Sequence, residues 1–530
     1  MNIKKMCGIA VYISKKEQDD KILSKISHRG PDLTTIWKFK FNDYYISLAF
    51  HRLAIIDLDN GDQPFVHKDH NRQVYLLCNG EIYNYKHLID KYNLKTKSDC
   101  KVILDLFLQT NDIKKTISEL DGEFAFILID IKDGDLNIYY GRDRFGIRPL
   151  YYHTDDSSFL FSSELKGLPR GLGKQVEPRK IHLIRNGKYD SYNYYQIGKH
   201  MRYIDVDYII MMENIKHILV ESVRDRMQTE RPLGALLSGG LDSSLICGIA
   251  AEILKEKGER LNTFTIGIEE SAPDIIYARK VAKHINSIHH EIIIPVEEWI
   301  SQLKNVIETI ETYDITTIRA STGQYLVSKW VSEHTDIKVL LIGDGSDEIA
   351  AGYKYFYNAS NGDESHDENI RLLEEIHKYD VLRCDRGISA WGLEARVPFL
   401  SHNFVNYYLS IDKDSRYPIK NQRIEKYLLR KAFDRGEKSI IPYDVLYRSK
   451  DGFSDSVSNK RKSWFEYIQE YVDTQISDEE FEGNKQFPSK EAYWYWKTFI
   501  SFYPESELNV VYWMPRWCGN ITDPSARVLE

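Results

Sequence analysis

Cys7, followed directly by Gly8-Ile9-Ala10, is a thiol near the start of the sequence that could attack an electrophile. The attacking species is the thiolate, and a free thiol is only slightly ionised near neutral pH, so Cys7 needs a base. Its own α-amino group could serve if it were free. With a pKa of about 7.7–8.0 it can accept and return a proton, which an amide nitrogen cannot do. The sequence, however, places MNIKKM ahead of it. The expectation is therefore that translation begins at Met6 or that processing cuts after it. Leftover residues would remove the base, a loss of roughly 10²–10⁴-fold in rate. Taken alone, Cys7 also reads as a small buried side chain of a first strand.

Its companions add weight to the chemical reading. "HRGPD" (28–32) is a turn with a basic residue, and "HRLAIID" sets Arg52 beside an apolar strand. "NGEIYN" (79–84) ends a strand with an amide, a glycine and a carboxylate, and "SDC" supplies Asp99. Glutamine offers a carboxylate, an ammonium and a carboxamide. Arg52 could take the first in a bidentate fork, and Glu81 and Asp99 the second. The Asn79 side chain and the Gly80 N–H could hold the oxyanion of a tetrahedral intermediate.

A second constellation lies further on. "LLSGGLDSS" (236–244) sits between a strand and a helix. Gly239 and Gly240 let the backbone turn and approach a ligand, and the loop N–H groups form an anion nest. Ser238, Ser243 and Ser244 add hydroxyls. No G-x-x-x-x-G-K-[ST] is present, so this is not a Walker loop. Asp242 would repel phosphate unless Mg²⁺ bridges the two. "LLIGDGSDE" (340–348) repeats the pattern with Gly343, Gly345, Asp344, Asp347 and Glu348. Ligands of open α/β sheets bind at such strand ends. "DITTIRAST" contributes Thr316, Thr317, Arg319 and Ser321. Asp385, Arg386, Glu394, Arg396 and Lys450 follow, each of which singly reads as an ordinary ion pair.

The elements around these residues change character along the chain. Up to about residue 200, short apolar or alternating runs such as "QVYLLCNG" and "EFAFILID" read as strands, with one helix at "CKVILDLFLQT". From Met212 to Met227 apolar residues recur at helical spacing, and strands then alternate with helices, the pattern of a parallel sheet. Beyond about residue 365 the text is mainly helical, and "NASNGDESHDEN" (358–369) reads as a surface loop. The expected division is 7–200 and 212–530.

The whole chain has 530 residues, a formal net charge of −8, 42% hydrophobic and 28% charged residues. That balance argues against a protein that coats nucleic acid or an anionic membrane. Six scattered cysteines without a CxxC pair argue against zinc and disulfides and suit a reducing cytoplasm. The apolar run Met6–Ile13 is short, lacks an A-x-A site and reads as a first strand rather than a signal peptide. No apolar stretch is long enough to span a membrane.

Cys-Gly-Ile, HRGPD, HRLAIID, NGEIYN, DGEFAF, GRDRFGIRPLYY and FSSELKGL, in this order, resemble the class II glutamine amidotransferases. SGGLDSS is shared with ATP pyrophosphatases. TTIRAST, GSDE, GLEARVPFL and "YWMPRWCGNITDPSAR" resemble the synthetase part of the glutamine-hydrolysing asparagine synthetase family. The resemblance implies two domains. The first is an N-terminal nucleophile hydrolase αββα sandwich. The second is a Rossmann-like, adenine nucleotide alpha hydrolase-like parallel sheet with a helical C-terminal part. It implies Cys7 as nucleophile, and Arg52, Asn79, Gly80, Glu81 and Asp99 as glutamine contacts.

For the second domain the resemblance implies ATP and Mg²⁺, a β-aspartyl-AMP intermediate and ammonia delivered through a tunnel. Leu236, Ile266, Ile342 and Gly343 would contact adenosine. Ser238, Gly239, Gly240, Asp242, Ser243 and Asp347 would hold pyrophosphate, with Asp242 and Asp347 on the metal. Lys450 would stabilise charge at the α-phosphate, and Thr316, Thr317 and Arg319 would lie near aspartate. Partners are small molecules only, and the reading allows for a homodimer. Three positions depart from the family pattern: Ile342 and Asp344 replace Ser and Glu of S-G-E-G-S-D-E, and Ser401 replaces Asp of FLDH. Asp344 keeps a carboxylate with shorter reach, so a working but slower synthetase is expected. The alternatives are a ligase of the same family with another acceptor, similar to β-lactam synthetase, or a catalytically dead homologue with a regulatory binding role.

Overall fold

The computed structural model describes residues 7–17, 19–199, 206–450, 452, 456–458, 461–519, 521 and 523–524. The expected start at Met6 lies outside the described residues, as does part of the expected boundary between the two halves.

The front half builds two six-stranded antiparallel sheets. The first runs, edge to edge, Lys174–Gln175, Tyr151–Asp155, Ser158–Ser162, Gly8–Ser14, Tyr44–Arg52, Leu33–Phe41. The second runs Lys188–Asn193, Lys180–Arg185, Asp135–Arg142, Gly122–Lys132, Arg72–Ile82, Phe65–Lys68. Strand alternation explains why they stack. Ile9, Val11 and Ile13 share one core with Tyr75, Leu77, Ala125, Ile127 and Ile129, so these side chains fill the space between the sheets. The intervening Val74, Leu76, Cys78, Phe124 and Phe126 point to the other side of the second sheet. There they meet the helices Tyr85–Tyr92, Lys101–Thr110 and Ile113–Glu119.

The outer face of the first sheet is covered differently. Ala10 and Tyr12 pack on the short helical turns Asp20–Leu23, Ser24–Arg29 and Leu165–Gly167, and this layer merges with the core of the back half. The αββα arrangement is therefore present, with its fourth layer shared between the two halves.

In the back half five parallel strands lie in the order Ile288–Ile293, Asn262–Gly267, Leu233–Leu236, Val339–Leu341, Glu394–Arg396. Helices Leu241–Lys255, Pro273–His284 and Ile315–His334 connect and cover them. Most of the segment read as a polar loop, residues 362–369 of 358–369, lies in the helix Gly362–Glu375. Asn361 caps it by accepting from the Glu364 N–H. Its buried Glu368 accepts from Tyr355 and from Arg371, so charge is satisfied inside rather than by water. Polarity alone therefore misassigned this stretch.

Candidate functional site

Two strand-end sites emerge, one in each half. In the front half Cys7 leads into the strand Gly8–Ser14. Its Sγ accepts from the Leu53 N–H (3.3 Å) and faces the Leu53 carbonyl (3.4 Å). Its carbonyl accepts from Arg29 Nε (2.9 Å). Burial first, and the nearby Glu394 and Glu81 carboxylates after it, push the thiol up to about 12. An unassisted thiolate is therefore scarce, and the sulfur needs a base at the moment of attack.

The strand Arg72–Ile82 supplies the next three groups. Asn79 is fully buried, yet neither its Oδ1 nor its Nδ2 has a hydrogen-bond partner. A buried amide with both ends open costs free energy unless a ligand completes it. Gly80 has φ +139°, and a Cβ there would lie 1.9 Å from the Glu123 carbonyl oxygen, so only glycine fits. Glu81 Oε2 likewise has no hydrogen-bond partner, and its carboxyl is raised well above the usual range, chiefly by burial and then by Asp99 and Glu394. Asp99 accepts from the Ile82 N–H (2.9 Å) and is held up to about 6 by burial. The pocket thus contains two desolvated carboxyl groups on one side.

Arg52 ends the strand Tyr44–Arg52 and feels the same thiol, but its fork is engaged. Nη1 donates to Asp62 (2.8 Å) and the Leu58 carbonyl (3.0 Å), and Nη2 to the Asp57 carbonyl (2.6 Å). It folds the 57–62 loop onto itself.

In the back half a cavity of about 310 Å³ opens at the strand ends. Leu236, Ser238, Gly240, Asp242, Ser243, Ile266, Thr316, Thr317, Arg319, Ile342, Gly343, Asp344, Asp347 and Lys450 all line it. Gly239 does not. It has φ +71°, and a Cβ there would lie 2.4 Å from the Ala278 nitrogen, so it packs the turn against the next helix. Gly240 precedes the helix Leu241–Lys255, whose first N–H groups receive no side-chain cap. That end can accept an anion.

The charges in this cavity compensate one another. Lys426, almost fully buried, puts Nζ 2.6 Å from Asp242 Oδ2 and 2.6 Å from Asp347 Oδ1. Lys450 Nζ lies 2.6 Å from Asp347 Oδ2. The two lysines overcome the burial of Asp347 and hold its carboxyl well below the usual range, while Asp347 and Asp242 hold Lys450 high. A Cβ at Gly352 would stand 2.1 Å from both Asp347 Oδ1 and Lys426 Cε, so glycine makes room for this contact. Asp242 Oδ1 is buried without a hydrogen-bond partner. Two carboxylates and one open oxygen suit a hard cation that takes its remaining ligands from phosphates and water.

Asp344 faces Arg383 Nη2 at 3.4 Å, and burial raises its carboxyl. Thr316 and Thr317 both donate to Asp314, the cap of the helix Ile315–His334. Arg319 is tied by Nε to Glu491 (2.8 Å) and by Nη1 to Asp523 (2.9 Å). These three line the cavity with their polar groups already committed. Asp385 and Arg386 lie elsewhere, in a buried ion cluster between the halves with Arg29, Glu164 and Glu311. Ser401 caps the helix His402–Ser410 by accepting from the Phe404 N–H. Sequence reasoning passed over Lys426 and Arg383, because a basic residue in helical text looks solvent-facing.

Comparison with known proteins matches residues 6–214 to the glutamine amidotransferase domain and residues 214–372 and 359–517 to the asparagine synthase family. Asparagine synthetase [glutamine-hydrolyzing] of Gallus gallus is 41% identical, covering 99% of this chain and 99% of its own length. The enzymes of Bos taurus and Homo sapiens are each 40% identical over 99% of this chain and 98% of theirs. Among solved structures, a glutamine phosphoribosylpyrophosphate amidotransferase from B. subtilis aligns with 53% of this chain and 80% of its own at 15% identity, with a TM-score of 0.31.

Proposed function

Because the chain belongs to the asparagine synthetase family, whose relatives here hydrolyse glutamine, we propose that it makes asparagine from aspartate, glutamine and ATP with the residues described above. Cys7 Sγ attacks the glutamine carboxamide, its proton passing to the Cys7 α-nitrogen when that nitrogen is a free amine. The Asn79 Nδ2 and the Gly80 N–H stabilise the oxyanion. Glu81 and Asp99 hold the substrate ammonium. Arg52 turns from Asp62 to the substrate carboxylate, exchanging one carboxylate for another. Ammonia leaves, and water releases glutamate from Cys7.

In the back cavity the aspartate side-chain carboxylate attacks the α-phosphate of ATP, and pyrophosphate departs. Leu236, Ile266, Ile342 and Gly343 surround the adenosine. Ser238, Ser243 and the helix end at Gly240 hold pyrophosphate, and Lys450 and Lys426 offset its charge. Mg²⁺, held by Asp242 and Asp347, would neutralise phosphate charge when bound. Asp344 accepts a proton from the incoming ammonia as it displaces AMP. Thr316 and Thr317 shape the aspartate end, and Arg319 anchors the helix that carries them. A cytosolic setting fits the six free cysteines, and no described helix is long and apolar enough to cross a membrane.

The observation that best supports the front reaction is the Asn79 amide, buried with both polar atoms open. The test is incubation with ATP, Mg²⁺, aspartate and either glutamine or ammonium, with AMP, pyrophosphate, glutamate and asparagine measured. All four products with glutamine are expected. Asparagine from neither nitrogen source would refute the reading. Intact mass of the active protein tests the amine: glutamine hydrolysis by protein that retains residues 1–6 would refute the α-nitrogen as base.

A further inference from the structure

The front pocket contains a cation that the front half does not supply. Arg396 ends the strand Glu394–Arg396, the outermost strand of the parallel sheet, and is fully buried. Most of its donors are spent in the back half. Nε donates to Glu394 Oε1 (2.8 Å), and Nη1 to the carbonyls of Arg226 (2.8 Å) and Gln228 (2.7 Å). Its Nη2 has no hydrogen-bond partner, and 3.5 Å away stands Glu81 Oε2, which has none either. These two groups face one another across the boundary between the halves, close enough to attract but not bonded.

We propose that Arg396 is a positioning residue for glutamine hydrolysis: reaching across from the synthetase half, it sets a fixed positive charge against Glu81 and aims that carboxyl group at the substrate's ammonium group. The inference rests on the reading of the front pocket as the glutamine site.

The surroundings of Glu81 show why a cation is required there. Glu123 lies directly across on the strand Gly122–Lys132. Asp99 approaches from the start of the helix Lys101–Thr110, Glu394 from the edge strand, and the Cys7 thiol from the first strand. Tyr83, two residues along its own strand end, lies under Arg226 and Arg396. Three carboxylates beside a fourth favour protonation, and burial favours it further. The opposing cations are Arg148, Arg226 and Arg396. Arg148 is directed to Glu123 (3.3 Å), Asp385 (3.5 Å) and the Ala395 carbonyl (2.8 Å), and Arg226 to Glu123 (2.9 Å). Arg396 is the one whose open Nη2 faces Glu81. Its two bonds to backbone carbonyls and one to Glu394 fix the guanidinium plane, so the charge is held in place rather than free to follow the carboxylate. A bound ammonium on the far side of Glu81 then completes an alternating row of charges.

The experiment uses the full chain and measures glutamate release from glutamine as a function of glutamine concentration and pH. Asparagine formation from ammonium serves as the readout of an intact back half. Removing the positive charge makes Glu81 harder to ionise, so the acid limb of kcat/KM must move to higher pH. For Arg396→Met we expect KM for glutamine to rise about tenfold or more and the limb to move up by about one unit. Arg396→Lys keeps a charge but loses the paired carbonyl bonds, and must shift the limb the same way by less. Unchanged KM and an unmoved limb in Arg396→Met overturn the proposal. A fall in kcat alone, shared by the ammonium reaction, also overturns it, since that marks a general loosening of the two halves. If Arg396→Met does not fold, Arg396→Lys decides by the same limb. Wild-type protein that releases no glutamate refutes the pocket's reading itself, an outcome distinct from a working wild type with an indifferent variant.

Discussion

The front pocket and the back cavity differ in how much of their unliganded charge is paired. In the front pocket polar atoms stand open: both ends of the Asn79 amide and one oxygen of Glu81 have no hydrogen-bond partner. In the back cavity most charges are paired internally, Lys426 with Asp242 and Asp347, Lys450 with Asp347, and Arg319 with Glu491 and Asp523, while Asp242 Oδ1 stays open. On the reading proposed above, the front would open one ion pair, Arg52 with Asp62, and a small zwitterion would complete its open groups. The back would exchange several, since a nucleotide would replace contacts that already exist. Open buried groups raise the free energy of the empty state and sharpen selectivity. Paired ones keep a highly charged cavity folded between turnovers.

Substitution at the nucleophile gives the largest expected separation of the two sites. Cys7→Ala should lower glutamine-supported synthesis on the order of 10⁴–10⁶-fold, with ammonium-supported synthesis at the wild-type rate. Loss of both activities would mean that the sites are not separable in this way. Asp344→Asn probes the opposite side. It should cut asparagine formation from either nitrogen source by roughly 10²-fold and leave glutamate release intact, and equal survival of both reactions would remove the role given to Asp344.

Lys426→Met tests the claim of internal pairing. Asp242 and Asp347 would then share one lysine, and urea unfolding should register a loss of about 3 kcal/mol. Added Mg²⁺ without nucleotide should restore part of it, more than it adds to wild type. Mg²⁺ that stabilises neither protein would show that the two carboxylates are not a cation site.

The smallest effect concerns pH. Asp99, at about 6 in the folded chain against about 3.9 for an unperturbed Asp, binds its proton more tightly when folded. Its contribution to stability is full below the lower value and is lost as pH rises through the higher one. A bound ammonium repays that loss. In Cys7→Ala, which cannot consume the ligand, glutamine should therefore raise Tm more above pH ~6 than below pH ~4. An equal or reversed shift would detach Asp99 from the ammonium.

Much of the fold could be read in advance. The runs "QVYLLCNG" and "EFAFILID" read as strands and form them, with Tyr75 and Leu77 in one core and Leu76 and Cys78 in the other. The helical spacing after Met212 corresponds to Tyr208–Arg226. The glycine turns of "LLSGGLDSS" and "LLIGDGSDE" both open on one cavity. Residues 362–369 looked like a loop because their polar side chains were assumed to face water, whereas they are helical and Glu368 is buried and paired. Arg52, Thr316, Thr317 and Arg319 have partners at other points of the chain or at a helix cap, which the sequence does not display.

The sequence by itself determined which chemical groups stand at strand ends: a thiol beside a strand, an Asn-Gly-Glu run, two glycine loops with carboxylates. Local rules suffice there, since side-chain alternation, glycine turns and helix starts depend on near neighbours only. The tertiary structure decided which charge neutralises which. Lys426 lies 184 residues from Asp242, and Arg396 reaches Glu81 from the opposite half of the molecule. Such pairings form only when burial strips away water and leaves each ion to the partners that packing brings within reach.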